Sequence, residues 1–399
     1  MTTLSFPCSE ATSGNHETKI VPARVALLTV LVSPYRHPLF KCLQSRLKEL
    51  LILCSASADE ACRPWTTSYA DLPSFVQRGF RLRWKRRHPH GFSVPYYVYL
   101  PLDTLPRLFH FRPDVVISGE MGFRTLQALA YRKLCPGSRL IVWATLSEVS
   151  EMTHGKLRNL IRSWLLPQVD AVLVNGSSGA SHISRFGVRP DRIVRVPYTC
   201  DLTPFLNIRR EQPRGNKLRL LYVGQLNEGK GLVPFLRQLV TWSGKFPSPA
   251  IDVQLVGDGP LRQTIESFSA RYRLRLHIVG NVPYTDLPKY YANADVFFFP
   301  SLSDEWGLVI NEALGSGLPV LGSLHSQAVE TLIKQGKNGW TFRADQDCEV
   351  YLAIERALST PADDWKNLQA AARESIVSLT PEFSAKAMLA AVQMVLQSG

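Results

Sequence analysis

The sequence predicts an α/β fold of two domains, each a parallel sheet covered on both faces by helices. Three observations predict it. Short runs that are apolar throughout recur along the chain, stretches with helical apolar spacing alternate with them, and the alternation halts near residues 198–215 and then restarts. Strands apolar on both faces must be covered twice, which is the signature of parallel sheets with helices above and below. A chain of 399 residues is too long for one ordinary core and suits two domains of roughly 150–200 residues each.

Residues 1–24 are polar, without a basic-then-apolar leader pattern, and read as a flexible tail. A strand from Arg24 to Val32 runs into the S-P-Y-R turn that carries Arg36, followed by a helix over 38–50 and a strand over Leu51–Cys54. Further strands are expected at Val115–Ser118, Leu140–Ala144, Ala171–Asn175 and Ile193–Val196, with helices at Gly122–Leu134, Lys156–Leu166 and Ser178–Phe186. Residues 25–205 therefore form a first, Rossmann-like domain. Tyr198–Gly215, with two prolines and several charges, reads as the linker. The second domain, residues 206–380, has strands at Leu218–Val223, Ile251–Val256, Leu276–Val279, Val296–Phe299, Pro319–Leu321 and Trp340–Phe342. In the final segment, 381–399, the apolar helix Ala385–Leu396 has no strand to join and is expected to cross back onto the first domain. Open parallel sheets bind ligands beyond the carboxyl ends of their strands, so two facing sheets make a cleft.

Composition narrows the function. The apolar run Val25–Val32 is broken by Ser33-Pro34, far short of the roughly 18 residues of a membrane span. A cytoplasmic location is the expectation. The cysteines at 8, 42, 54, 62, 135, 200 and 348 include no C-x-x-C pair and read as reduced packing thiols. Charge is lopsided: residues 1–205 hold 26 Lys and Arg against 14 Asp and Glu, while 206–399 hold 20 against 19. The densest basic run, Arg78 to His90, alternates with Phe80, Leu82 and Trp84. It suits an anionic membrane surface, at about 1 kcal/mol per basic residue near the lipid, or a phosphorylated acceptor; the plainer reading is an edge strand with a solvated face.

The chemistry concentrates in Pro300–Pro319, P-S-L-S-D-E-W-G-L-V-I-N-E-A-L-G-S-G-L-P. A helix beginning near Gly307 leaves the amides of Gly307, Leu308 and Val309 unpaired at the end of the preceding strand, where a phosphate can bind. Glu312 follows Leu308 by one turn and Asp304 lies just ahead of the helix. Carboxylates do not bind phosphate, so the pair suggests a ligand with hydroxyls on both sides of its phosphates, as a nucleotide sugar has. Alternatively, Asp304 and Glu305 are first-turn acids and Glu312 is a solvated helix residue. Lys230, in V-G-Q-L-N-E-G-K-G, can offset the charge of a diphosphate without a full P-loop pattern. Gly257-Asp-Gly-Pro260 and Gly280-Asn-Val-Pro283 are tight turns at the same edge.

Together these motifs resemble the retaining glycosyltransferases of family 4, over about residues 25–397. The resemblance rests on the glycine-strand-lysine turn Gly224–Gly231, V-G-D-G-P-L at 256–261, A-D-V-F-F-F-P-S at 294–301, and two acids with seven residues between them, Asp304 and Glu312. It implies the two-domain GT-B fold, with residues 25–205 as acceptor domain and 206–380 as donor domain. It further implies that Glu312 bonds the ribose hydroxyls, Asp304 faces the donor sugar, and Glu305 and Trp306 shape the sugar end. The Gly307–Val309 amides and Lys230 would hold the diphosphate, beside Gly224 and Gln225, with Asn281 and Val282 at the base. The family usually has Glu in place of Asp304 and Arg in place of Gln225.

What the resemblance implies is transfer of a sugar from a nucleoside-diphosphate sugar to an acceptor hydroxyl with retention, with no metal and no other cofactor. Asp345-Gln-Asp347 reads as the cap of a following helix. The acceptor, a glycan, a lipid-linked intermediate or another hydroxyl compound, would meet Glu148 or Glu120 as a candidate base, with His154 beyond Glu148 and Arg36 as a phosphate contact or an aspartate partner. The departing phosphate oxygen can itself accept the proton, so a protein base is optional. Rival readings are a sugar-nucleotide epimerase of the same fold and a basic, non-catalytic protein that binds nucleic acid or membrane. No nucleic-acid motif is present, so no nucleic-acid partner is expected. The basic first half points to a peripheral position on the inner membrane face.

Overall fold

A computed structural model of the chain describes residues 20–56, 70–152, 155–209, 218–245, 251–272 and 275–398. Most of the sequence-predicted tail, residues 1–19, and His154 lie outside the described residues. So does the end of the linker, 210–215, with the two residues after it.

The first domain opens with β1 (Val21–Thr29), which starts inside the stretch expected to be tail. Helix α1 (His37–Gln44) follows, then β2 (Leu47–Cys54). The predicted helix over 38–50 is too long: the chain turns at Ser45 and Arg46, and Leu47 pairs with Val21 as a strand residue. Next come β3 (Ser74–Val76), β4 (Gly79–Arg87), β5 (Ser93–Pro101), α2 (Thr104–Phe111), β6 (Val115–Gly119), α3 (Phe123–Leu134), β7 (Arg139–Ala144), α4 (Glu148–Glu151), α5 (Lys156–Leu165), β8 (Ala171–Val174), α6 (Ser177–Ser184) and β9 (Ile193–Arg195). The sheet runs β3-β2-β1-β6-β7-β8-β9, every pairing parallel. Alternation sorts its side chains into two cores. Leu27, Ile52, Ile117, Ile141 and Leu173 face one side, and Leu28, Val116, Val142 and Val172 face the other. The basic segment lies outside the main sheet: β4 and β5 form a separate antiparallel hairpin, Gly79 opposite Pro101 and Arg87 opposite Ser93.

The second domain continues with α7 (Thr203–Leu206), β10 (Leu218–Val223), α8 (Leu232–Ser243), β11 (Ile251–Val256), α9 (Arg262–Tyr272), β12 (Leu276–Gly280), α10 (Leu287–Ala292), β13 (Val296–Phe299), α11 (Leu308–Gly315), β14 (Val320–Ser323), α12 (Gln327–Leu332), β15 (Gly339–Phe342), α13 (Asp347–Leu358) and α14 (Trp365–Glu374). Its parallel sheet runs β12-β11-β10-β13-β14-β15. Cys200, Leu202 and Phe205, from the expected linker, are buried in this domain's core.

Helix α15 (Pro381–Gln397) crosses back as expected. Ala385, Met388, Leu389, Val392 and Val395 are buried among the residues of β1, β2 and α1, and the Ser384 hydroxyl donates to the Pro197 carbonyl at 2.7 Å. No helix among the described residues is long and apolar enough to cross a membrane.

Candidate active site at the interdomain cleft

Strand order reverses between β1 and β6 in one sheet and between β10 and β13 in the other. Such a switch point splays the following loops apart and opens a crevice. The loop after β10 carries Gly224 to Lys230, and the loop after β13 carries Ser301 to Trp306. Arg36 follows β1 and Glu120 follows β6.

The β10 and β13 loops are clamped together. Leu302 N donates to the Gly229 carbonyl at 2.9 Å and Ser301 Oγ to the same oxygen at 3.3 Å. Gly231 has φ +64°, and a Cβ there would lie 2.1 Å from the Pro300 carbonyl oxygen, so only glycine fits. This closeness places Lys230 Nζ 2.5 Å from Asp304 Oδ2, with Asp304 Oδ1 accepting from the Trp306 amide at 3.2 Å. Both side chains are largely shielded from water. Gly224 sits at φ +150° against the Tyr222 hydroxyl, which donates to the Gln225 carbonyl at 2.8 Å. The Gln225 amide oxygen accepts from Asn227 Nδ2. Asn281 is exposed and Val282 half-buried in the loop after β12.

Helix α11 begins at Gly307, with φ +97° and no side-chain cap, as the sequence suggested. Glu312 on the same helix is not solvated. It is 6 % exposed, and its Oε2 accepts from the Tyr291 hydroxyl at 2.7 Å. Burial pushes its carboxyl up to about 7, opposed by hydrogen bonds from Tyr291 and Tyr284. Sequence reasoning missed both tyrosines, which come from the segment 284–291 and meet α11 only through the fold. Trp306 is corrected too: its indole is buried and donates to Asn311 Oδ1 at 2.9 Å, so it supports α11 from the core and does not line the sugar end.

Glu305 projects into the cleft. Water still reaches it, yet the enclosing protein, then the charges of Glu120, Asp304 and Glu151, hold its carboxyl above the usual range against the pull of Arg36. Among the described residues, Arg36 pairs with no aspartate. Its guanidinium donates to the Tyr198 hydroxyl and to Thr29 Oγ1, and lies 4.6 Å from the Trp143 ring centroid. The Tyr198 carbonyl in turn accepts from Asn311 Nδ2 at 3.1 Å, joining the two domains.

The acceptor-side acids separate. Glu148 is turned to α6, bonded to Arg185 at 2.6 Å and Ser181 at 3.1 Å, and is not brought to the donor groups. Glu120, at φ +70°, faces Glu305 and bonds Arg124 at 3.0 Å. A second bolt across the cleft, absent from the sequence reading, is Gln327. Its amide nitrogen donates to the Leu146 and Glu305 carbonyls at 2.6 and 2.8 Å, and its oxygen accepts from Gly179 N at 3.1 Å. The hairpin tip also reaches over: His90 stacks on His325 at 5.7 Å, and Phe92 touches Gly229.

Asp347 lies in the first turn of α13 without capping it by side chain, while Asp345 pairs with His325 and Arg343. Among the described residues, no group of three or more His, Cys, Asp or Glu is placed to hold a metal ion.

Comparison with known proteins agrees with this layout. Residues 205–375 match the family model described as glycosyl transferases group 1, and residues 32–199 match the glycosyl transferase 4-like domain. The chain is 25 % identical over 289 residues to sulfoquinovosyl transferase SQD2 of Arabidopsis thaliana, covering 66 % of this chain and 54 % of that protein. It is 27 % identical over 206 residues to the amylovoran biosynthesis glycosyltransferase AmsK of Erwinia amylovora, covering 49 % and 46 %. It thus spans about half the length of the curated relatives it matches. Among solved structures, the lipopolysaccharide outer core galactosyltransferase WaaB superposes with TM-score 0.70 at 16 % identity, covering 93 % of this chain and 99 % of that one. Anabaena HepE in complex with UDP superposes with TM-score 0.67, also at 16 % identity, covering 94 % and 100 %. With two parallel-sheet domains, a cleft at both switch points and family matches across both halves, the chain belongs to the group 1, family-4-like glycosyl transferases of GT-B fold.

Proposed function

We propose that the protein transfers a sugar from a nucleoside-diphosphate sugar to an acceptor hydroxyl with retention at the anomeric carbon, in the synthesis of a polysaccharide, glycolipid or other glycoconjugate. The observation that carries this reading is the Lys230–Asp304 pair, 2.5 Å apart at the β10/β13 switch point and beside the uncapped start of α11. An ammonium at such a site is exchangeable: a diphosphate can draw it from the carboxylate, leaving Asp304 to accept from a sugar hydroxyl.

In this reading the bond from the anomeric carbon to the diphosphate oxygen breaks while the bond to the acceptor oxygen forms on the same face. The acceptor proton passes to the departing phosphate oxygen, or to Glu120 on the acceptor side. Lys230 and the amides of Gly307 to Val309 meet charge that grows on the leaving group, so they stabilise the transition state more than the ground state. The same groups serve in place of a metal, and no cofactor is invoked. Glu312 accepts from the ribose hydroxyls in place of its tyrosines. The +12 first half fits work at an anionic membrane face on the cytoplasmic side.

The test is a thermal-shift series with UDP, GDP, ADP and their sugars, on wild type and Lys230→Ala. Stabilisation by one nucleotide, about 2.7 kcal/mol at a hundredfold excess over its dissociation constant, that is lost in the variant is expected. No shift with any nucleotide refutes the reading and favours a non-catalytic basic binding protein. Proton NMR of the product gives the anomeric configuration, and sugar conversion without any acceptor would assign an epimerase instead.

A further inference from the structure

A cavity of about 600 Å³ opens on the acceptor side, between the β4–β5 hairpin and the first turns of α3 and α5. Its walls include aromatic rings, Trp84, Tyr97 and Phe123, and the cations Lys85, Arg87 and Arg158. Among the described residues, Glu120 is the one acid lining it, and it marks the end nearest Glu305.

Two independent features mark the floor as an anion site. Helix α3 starts at Gly122 with no side-chain cap, so its first amides and its positive dipole end face the cavity. Arg124, also on the floor, is 3 % exposed; its Nη2 bonds Glu120, while its buried Nη1 has no hydrogen-bond partner. Leaving a buried guanidinium nitrogen unbonded is costly. A phosphoryl oxygen would satisfy it together with the helix amides.

The cavity continues onto an inverted helix. In α5 the charged Arg162 points inward, 1 % exposed and paired with Glu151, while Leu157, Leu160 and Trp164 point outward at 72, 67 and 54 % exposure. A helix of a water-soluble domain ordinarily does the reverse. Ile161 belongs to both this stripe and the cavity wall. Apolar surface edged by Lys85, Arg87 and Arg158 complements an amphiphile with an anionic head.

We propose that this cavity binds the acceptor and that the acceptor is a lipid-linked glycan bearing a phosphate or diphosphate. Its phosphoryl group lies on Arg124 and the α3 amides, its sugar end reaches past Glu120 toward the donor cleft, and its lipid end lies over Leu157, Leu160 and Trp164. This deepens and rests on the transferase reading, since it names the acceptor class.

The probe is dodecyl phosphate below its micellar concentration, titrated calorimetrically into the full chain beside inorganic phosphate and dodecyl maltoside. Dodecyl phosphate is expected to bind at least tenfold more tightly than either. Lys85→Glu with Arg158→Glu should weaken it at least tenfold, and Leu160→Gln with Trp164→Gln should bring it down to the level of inorganic phosphate. Equal binding of dodecyl maltoside, or indifference to the charge reversals, overturns the proposal. Equal binding of inorganic phosphate overturns the lipid-linked assignment. UDP stabilisation of the wild type, measured on the same preparation, separates the two readings: UDP binding without dodecyl phosphate binding sinks this inference alone, and the converse sinks the donor assignment.

Discussion

Replacing Glu312 by Gln tests the buried carboxyl of α11 directly. The side chain keeps its size and its oxygen can still accept from Tyr291, so the change removes the titration and little else. In the folded chain the carboxyl has a pKa of about 7 instead of 4.5, chiefly because it is buried. Between those two values the folded state holds a proton that the unfolded state has released, so stability falls as pH rises through this window. The penalty is absent below about pH 4.5 and complete above about pH 7, where it amounts to roughly 3 kcal/mol. Glu312→Gln should therefore gain on the wild type by about that amount between pH 5 and pH 8, or roughly 6–12 °C in the melting temperature of the second domain. Thermal melts of both proteins at pH 5, 6, 7 and 8, without nucleotide, read the difference. A gap between variant and wild type that stays constant over this range would refute the claim that Glu312 is held above its ordinary range by burial. The variant should also bind UDP less tightly at pH 8, where the carboxylate is the better acceptor for ribose hydroxyls.

Three other outcomes follow from geometry already described. Lys230→Ala should lose the nucleotide-induced thermal shift while circular dichroism stays native, because Lys230 lies in the loop after β10, outside both cores, where its ammonium pairs with Asp304; a retained shift would move the diphosphate elsewhere. Gly231→Ala should cost more than about 2 kcal/mol, combining a left-handed backbone with a collision against the Pro300 carbonyl; denaturant unfolding measures it, and a near-neutral result would mean the two loops separate easily. Gln327→Ala removes hydrogen bonds to Leu146, Glu305 and Gly179 at once, so the domains should part more readily, at about 2 kcal/mol, with a larger radius of gyration in X-ray scattering; an unchanged radius would show that the remaining contacts hold the cleft unaided.

The sheets were legible because their strands are apolar on both faces, as in Val296–Phe299, and burial is the only use for such runs. The error at α1 has a plain cause: Leu43, Leu47 and Leu50 keep helical spacing and are buried in one core, yet Leu47 and Leu50 belong to β2, and pairing with β1 decides the matter. The β4–β5 hairpin hid itself because basic and apolar residues alternate on a ribbon that stands outside the main sheet, a pattern that surface segments share. At the site, Lys230, Asp304 and Glu312 could be read because they stand inside contiguous motifs. Tyr291, Gln327 and Arg124 could not. Their partners, Glu312, the Leu146 carbonyl and the first-domain cavity, are reached only through tertiary contact, and nothing in K-Y-Y-A or S-Q-A-V announces them. Trp306 misled for the opposite reason: its place in the motif suggested a ligand, whereas its indole fits the core beside Asn311.

The return of α15 to the first domain sets an order on assembly. Ala385, Met388, Leu389, Val392 and Val395 complete the core face of β1 and β2, but the ribosome makes them only after the whole second domain. At roughly 5–20 residues per second, that face waits on the order of ten to forty seconds for its cover, exposing apolar surface that a chaperone could occupy. The second domain, whose buried core runs from Cys200 to Leu379, draws on nothing made after Leu379 and can close first. The domain that begins the chain is thus the one that finishes last.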